Sequence, residues 1–585
     1  MKAAPSRRQK GFLLVSSFHF LVSGFCFHSA RLCLCGELSA QLRDRHEYLQ
    51  LFCEKFSLAD SAVPSDVRSR LNGSIRTEET DAQGRRWRAT TKGLVSQTSR
   101  FVGEDGLPIL GLTGIAAGPD GRLWLATKDG AICFQPDAPY RERWFYFWGQ
   151  RYLADNAVEN LVAERSGAWI RNRTGISHIQ FKPYDLEQKC ALFEERIRQR
   201  HNRYGFVADS QLSRAGDVST SRPVPMDNDG LWTAIYVGAE CFRYAVTHSP
   251  EALRNARASL AALMRLESIT GIPGFPARAL IHRGDYRDLE GEWHWTADGE
   301  WEWKGDTSSD ELVGHFFAYQ VAYDLLPDEA DRTAIRPVVA RIAGHLLDHR
   351  LKLVGYGGRV TTWGDYRPEY FRTPRGREDK ALNSLEILSH LRVAYRVTGQ
   401  ERFRTEYDRI ANELGDLRNV VRGMSETLEI NYSDEELAFL AWYPLMRVED
   451  KPQLRAQYRQ AVENFWCRRI RSEENPMWNY FYAVGTDAKD YGAEDALRAL
   501  ERIPLDTVSW TVKNSQRADL QMIAARGRFG EKQARRAIPP NERRVMKWNG
   551  NPFELDGGDN GRSEDDGAFF LLPYWLARFH GLIKP

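Results

Sequence analysis

Cysteine is sparse and scattered. Eight Cys occur in 585 residues, at 26, 33, 35, 53, 133, 190, 241 and 467, and no two form a C-x-x-C pair. That spacing gives no disulfide framework and no zinc site. Net charge is almost absent as well: 81 basic against 79 acidic residues leaves +2, so bulk charge does not point to nucleic acid. Lysine supplies only 16 of the 81 basic residues. The Arg excess fits anion recognition, though codon bias accounts for it more simply. Past residue 30 no apolar run is long enough to cross a bilayer. No cofactor motif is present, and the acidic run Asp227-Asn228-Asp229-Gly230 lacks the remaining ligand positions of a calcium loop. Neither a metal nor a cofactor is expected.

What is abundant is ordinary core and aromatic rings. The chain is 42% hydrophobic and 12% aromatic, with 17 Trp, and its length allows two to four domains. The first 30 residues read as an export signal or N-terminal anchor. Arg7, Arg8 and Lys10 precede the apolar run Gly11 to Phe27, and His28-Ser29-Ala30 offers a small-residue end. The expected location is therefore periplasmic or secreted. Residues 31–80 read as a helical and linker segment, with a helix over Glu37 to Phe56 and polar linker from Ser65 to Thr80.

Residues 81–184 carry a repeat. Segments starting at Asp81, Pro119 and Arg165 each place a turn Gly (84, 121, 167), a Trp (87, 124, 169) and a second Gly (93, 130, 175) in the same order. This is turn, strand, turn, strand at blade-like period. The stretch Leu112 to Phe134 resembles the two-component-regulator propeller repeat. Three copies do not close a ring, so the expectation is a small β domain of partial propeller type.

From Asp185 to Pro585 the texture is helical. Six apolar, aromatic helices with polar lead-ins start near Asp227, Asp306, Glu378, Tyr432, Asn475 and Asp565. They alternate with amphipathic helices starting near Leu186, Ser249, Pro327, Gln400, Asp450 and Ala488. Helices that are apolar all round are buried, while those with one apolar stripe lie outside. The pattern predicts a mainly α chain whose 185–585 region is an (α/α)6 toroid, with an open helical solenoid as the rival. At this point the chain resembles the six-hairpin toroid superfamily of glycoside hydrolases and polysaccharide lyases. The resemblance implies an exported enzyme acting on a complex poly- or oligosaccharide.

Lead-ins to inner helices gather at one end of such a barrel, where loops build a pocket. Glycoside hydrolysis needs two carboxylates, one kept protonated. Asp306 lies before its helix and has no capping role, so it leads, with Asp227; Asp310 and His315 stand behind them. Ser308 and Glu311 fit a capping box, as do Ser433 and Glu436. Sugar faces stack on aromatic rings, which selects Trp363, Asp365 and Tyr366, the loop tryptophans Trp295 and Trp303, and Trp478 and Tyr480 as substrate contacts. Asn514 and Arg517 would suit a uronate. A lyase using His315, Tyr480, Asn514 and Arg517 is the second reading, and a non-catalytic glycan-binding protein the third.

Overall fold

The computed structural model describes residues 46–286, 290–423, 430–527 and 530–584. The signal reading of Gly11 to Phe27 lies outside these residues. Among the described residues the chain is mainly helical: a smaller β-sheet region that holds one short helix is followed by thirteen α-helices. No helix of the described residues is long and apolar enough to cross a membrane.

The β region consists of three four-stranded antiparallel sheets. Strands β2 (Glu78–Thr80), β3 (Arg86–Thr90), β4 (Gly93–Ser96) and β5 (Arg100–Phe101) form one; β6 (Gly114–Ala117), β7 (Leu123–Ala126), β8 (Ala131–Phe134) and β9 (Trp144–Phe147) form the next. The third has the order β1-β12-β11-β10, where β1 is Glu47–Phe56 and β10, β11 and β12 are Val158–Glu164, Gly167–Asn172 and Ile176–Asp185. The repeated Trp87, Trp124 and Trp169 occupy equivalent strands β3, β7 and β11 and are all buried. Gly121 and Gly130 flank β7 with φ of +85° and +107°, conformations that a side chain disfavours.

The expectation for residues 31–80 is corrected where the structure describes them. Glu47–Phe56 is a strand, not a helix, and Ser65–Leu71, read as linker, is the short helix α1. Tyr48, Leu51, Phe52 and Phe56 suit either element, and what selects the strand is β12. The two pair without a break from Glu47 opposite Asp185 to Phe56 opposite Ile176. Partner pairing of that kind overrides local propensity.

No linker separates sheet from helix. Asp185 ends β12 and caps α2 (Leu186–Arg196), accepting from Gln188 N at 2.7 Å while Gln188 Oε1 accepts from Asp185 N at 3.1 Å. The inner helices are α3 (Asp229–Thr247), α5 (Ser309–Leu325), α7 (Pro374–Thr398), α10 (Tyr432–Val448), α12 (Pro476–Thr486) and α14 (Ala568–Phe579). Between them run the outer helices α4 (Pro250–Ile269), α6 (Glu329–Asp348), α8 (Glu401–Arg409) with α9 (Asp416–Gly423), α11 (Pro452–Arg468) and α13 (Ala493–Arg502). Each inner helix packs on the next, and α14 packs back on α3, so the ring is closed and the solenoid is excluded. One hydrophobic core runs through all six inner helices. The five described cysteines are all free thiols.

Candidate functional site

The first two inner helices meet at Asn228. It precedes α3 with φ +66°, a left-handed conformation that Asn tolerates better than most residues. Its amide Nδ2 donates to Asp310 Oδ2 at 3.2 Å, and its Oδ1 accepts from Ser308 Oγ at 2.9 Å and Arg278 Nε at 3.2 Å. Next to it, Asp229 is fully buried, accepting from Met226 N at 2.9 Å and pairing with Arg203 at 2.6 Å. One short polar segment therefore fixes the starts of α3 and α5 together.

Asp227 stands outside this knot, on the wall of an open cavity of about 360 Å³. Lys304 Nζ approaches its Oδ1 at 2.6 Å and Arg278 its Oδ2 at 3.8 Å. Partial burial pulls the Asp227 carboxyl upward, but the Lys304 hydrogen bond and the Arg278 charge outweigh that and hold it below the usual carboxylate range. Asp306 lines the same cavity, at φ +49°, and its Oδ1 accepts from Thr362 N at 2.7 Å.

Asp310, in the first turn of α5, behaves in the opposite way. Burial raises its pKa, the Arg278 charge opposes this, and the nearby Asp227 charge adds to it. Asp227 and Asp310 are thus close enough to feel one another, and their environments push their proton affinities apart.

Below Asp310 lie two glutamates of the barrel interior. Glu436, on α10, is raised to about 8, first by burial and then against Lys547 by the Asp310 charge. Glu386, on α7, is raised well above the ordinary range by burial, with Asp310, Asp434 and Asp379 contributing. Tyr366 and His390 lie beside it, and His390 stacks on Phe316 at 4.2 Å. Among the described residues, neither Glu386 oxygen, neither His390 ring nitrogen and not the Tyr366 hydroxyl has a hydrogen-bond partner. Lys547 completes the interior, 4.0 Å over the Trp232 ring and within 3.1 Å of Asp209 and 3.3 Å of Asp566.

Both capping boxes read from the sequence are corrected. Glu311 does not cap α5. Its Oε1 lies 3.1 Å from His315 Nε2, and it accepts from the Gly230 backbone at the start of neighbouring α3. Glu436 is no cap either, because α10 begins a residue before Ser433 with Asn431 as its cap. His315 is completely buried, with Tyr319 OH 2.9 Å from its other nitrogen, and burial lowers it to about 3. It is a neutral core histidine.

The aromatic candidates divide. Trp363 and Trp295 are 41% and 53% exposed, with Arg375 3.9 Å over the Trp363 ring. Asp365 forms a bidentate pair with Arg367 at 2.9 and 2.6 Å. Trp303 is buried against His294, with ring centroids 4.4 Å apart, so it does not overhang the mouth. Trp478 stacks on Phe439 at 5.0 Å inside the helical core, and Tyr480 is buried toward Tyr491. Asn514 and Arg517 sit together, but elsewhere: both bond Glu542, Arg517 also pairs with Asp519 at 2.8 Å, and Arg517 lines a different cavity from Asp227.

Sequence reasoning missed Asn228, Arg278, Lys304, Glu386, Glu436 and Lys547. A signal for Glu386 was present. α5 and α7 each carry Glu-x-x-x-His inside an apolar helix, Glu311 with His315 and Glu386 with His390, and a buried ionisable group without a partner is costly unless it has a use.

No protein-family model matches the chain, and no curated protein matches it. Solved structures that align with it include a sugar epimerase from a ruminal bacterium, at 10% identity over 68% of this chain and 98% of that one, TM-score 0.36. A family 76 glycoside hydrolase (mannosidase) from Bacteroides thetaiotaomicron aligns at 9% identity over 68% of this chain and 98% of that one, TM-score 0.35. A family 76 α-mannanase from the same organism aligns at 11% over 63% and 69%, TM-score 0.28. Scores this low carry no argument, and the closed ring stands on the chain's own helix packing.

Proposed function

We propose that this chain is an exported glycoside hydrolase acting on a poly- or oligosaccharide. Asp310 is the general acid and Asp227 the general base. The observation that carries the reading is the opposed tuning of these two neighbours: burial raises the pKa of Asp310, while Lys304 and Arg278 lower that of Asp227. Asp310 gives its proton to the departing glycosidic oxygen, and Asp227 takes a proton from water or supports the oxocarbenium-like transition state. Asn228 holds Asp310 in place. Exposed Trp363 and Trp295 offer ring faces to sugar units. Asp306, joined to the Thr362 backbone, shapes the wall of the Asp227 cavity. The three β sheets are read as an incomplete propeller that serves as a packing or glycan-binding module. The lyase reading loses support because Asn514 and Arg517 lie apart from His315 and each is bonded internally.

The test is a product analysis over plant, algal and animal polysaccharides. Hydrolysis releases new reducing ends without ultraviolet absorption, whereas elimination leaves a conjugated double bond that absorbs. Asp310→Asn and Asp227→Asn should each lower turnover about 10²–10⁴-fold. An ultraviolet-absorbing product, or undiminished hydrolysis in both variants, would refute the assignment.

A further inference from the structure

A second cavity, of about 660 Å³, opens between the β1–β12 edge of the third sheet and the helices α2 and α13. It shares no lining residue with the Asp227 cavity. Five arginines line it; Arg122 and Arg498 pair with Asp120 and Asp495, which leaves Arg151, Arg196 and Arg502. None of these three forms an ion pair among the described residues. Each is anchored instead to a backbone carbonyl, Arg151 Nη1 to Arg543 O at 2.7 Å, Arg196 to Leu505 O, and Arg502 Nη2 to Arg141 O at 3.4 Å. Arg151 is 4% exposed, and its Nε and Nη2 have no hydrogen-bond partner among the described residues.

The acids in the same wall are already engaged. Glu501 is 2.6 Å from His46, Glu142 faces Arg498 at 3.8 Å, and Asp506 accepts from Val508 N at 3.0 Å and Trp510 Nε1 at 2.7 Å. Burial lowers the pKa of Arg196 and of Arg502 and outweighs the nearby acids, Glu564 and Asp506 for the first and Glu542, Glu142 and Glu501 for the second. Guanidinium groups with free donors match planar or tetrahedral oxyanions. On the adjoining strand, Tyr48 and Phe52 fall on one face of β1 and both line the cavity. Oxyanion donors beside ring faces are what a charged sugar presents itself to.

We propose that this cleft binds an anionic saccharide, its carboxylate or sulfate on Arg151, Arg196 and Arg502 and its ring against Tyr48 and Phe52. The site is separate from the catalytic mouth and does not depend on the hydrolase reading.

Isothermal titration of the full chain tests it with four probes: a galacturonate trimer, a sulfated galactose trimer, the neutral galactose trimer and inorganic sulfate. At least one charged trimer should bind, more tightly than sulfate and with the neutral trimer showing no binding. Each guanidinium removed should weaken binding about tenfold, in Arg502→Gln and further in the Arg196→Gln/Arg502→Gln pair. Arg502→Lys should recover part of the loss, which separates charge recognition from misfolding. Asp310→Asn should bind like the parent protein. The proposal is overturned if neither charged trimer binds, if sulfate or the neutral trimer binds as well as they do, or if the Arg502→Gln affinity is unchanged. Loss of binding in Asp310→Asn would also overturn it, by placing the ligand at the mouth.

Discussion

Asn228 donates its side-chain amide to Asp310 Oδ2 at 3.2 Å while its own backbone sits at φ +66°. One residue thereby sets both a turn and the position of a carboxylate on the neighbouring helix. Two substitutions separate these roles. Asn228→Gly keeps the left-handed turn and removes the amide; Asn228→Ala removes the amide and strains the turn by about 1 kcal/mol. Both should lower kcat by a similar factor and both should lower the urea midpoint, because Ser308 and Arg278 lose their acceptor, with the alanine the less stable of the two. Full activity in Asn228→Gly would show that Asp310 needs no such support.

Gly230 is where α3 and α5 touch. A Cβ there would come within 1.8 Å of Glu311 Oε1 and 2.9 Å of His315 Nε2. Gly314 faces it from α5, where a Cβ would meet Leu231 Cα at 2.7 Å. Gly230→Ala should therefore cost about 1–3 kcal/mol of stability through overpacking, read as a lower melting temperature. An unchanged transition would mean that the helices separate freely.

Glu436 makes stability depend on pH. Its pKa rises from 4.5 to about 8 on folding, so between those values the folded chain holds a proton that the unfolded chain releases. Stability from this group is complete below the unfolded value and is lost as pH climbs toward 8, at up to about 1.4 kcal/mol per pH unit. Glu436→Gln should flatten the decline in melting temperature between pH 5 and 8. A difference between parent and variant that stays constant over that range would contradict this.

His315 should matter to stability and not to chemistry. Both ring nitrogens are occupied, by Glu311 and Tyr319. His315→Gln should lower stability by about 1–3 kcal/mol, because it leaves buried polar groups imperfectly paired, while the pH profile of kcat keeps its shape. A displaced limb in that profile would return His315 to the reaction.

The barrel was legible because an inner helix must be apolar all round, a property carried within each segment. Tyr432 and Asn475, named as starts of inner helices, stand within a residue of the observed ones. Ring closure by α14 on α3 is consistent with that alternation. The site was less legible. Ser308 and Glu311 have capping-box spacing, yet the Glu311 carboxylate serves the adjacent helix, a relationship that no spacing along one segment reveals. Glu386 and His390 sit well inside α7, far from any lead-in. Trp303 and Trp478 carry the same rings as Trp295 and Trp363, and only packing between elements decides which face outward.

The β1–β12 pairing bears on how the chain is made. Glu47 pairs with Asp185, and Asp185 is also the residue that starts the first barrel helix. During synthesis β1 emerges from the ribosome long before its partner, so its edge stays open while the first two sheets are completed. That edge closes only when β12 appears, and at the same moment α2 acquires its cap. The last step of building the β region is thus also the first step of building the barrel.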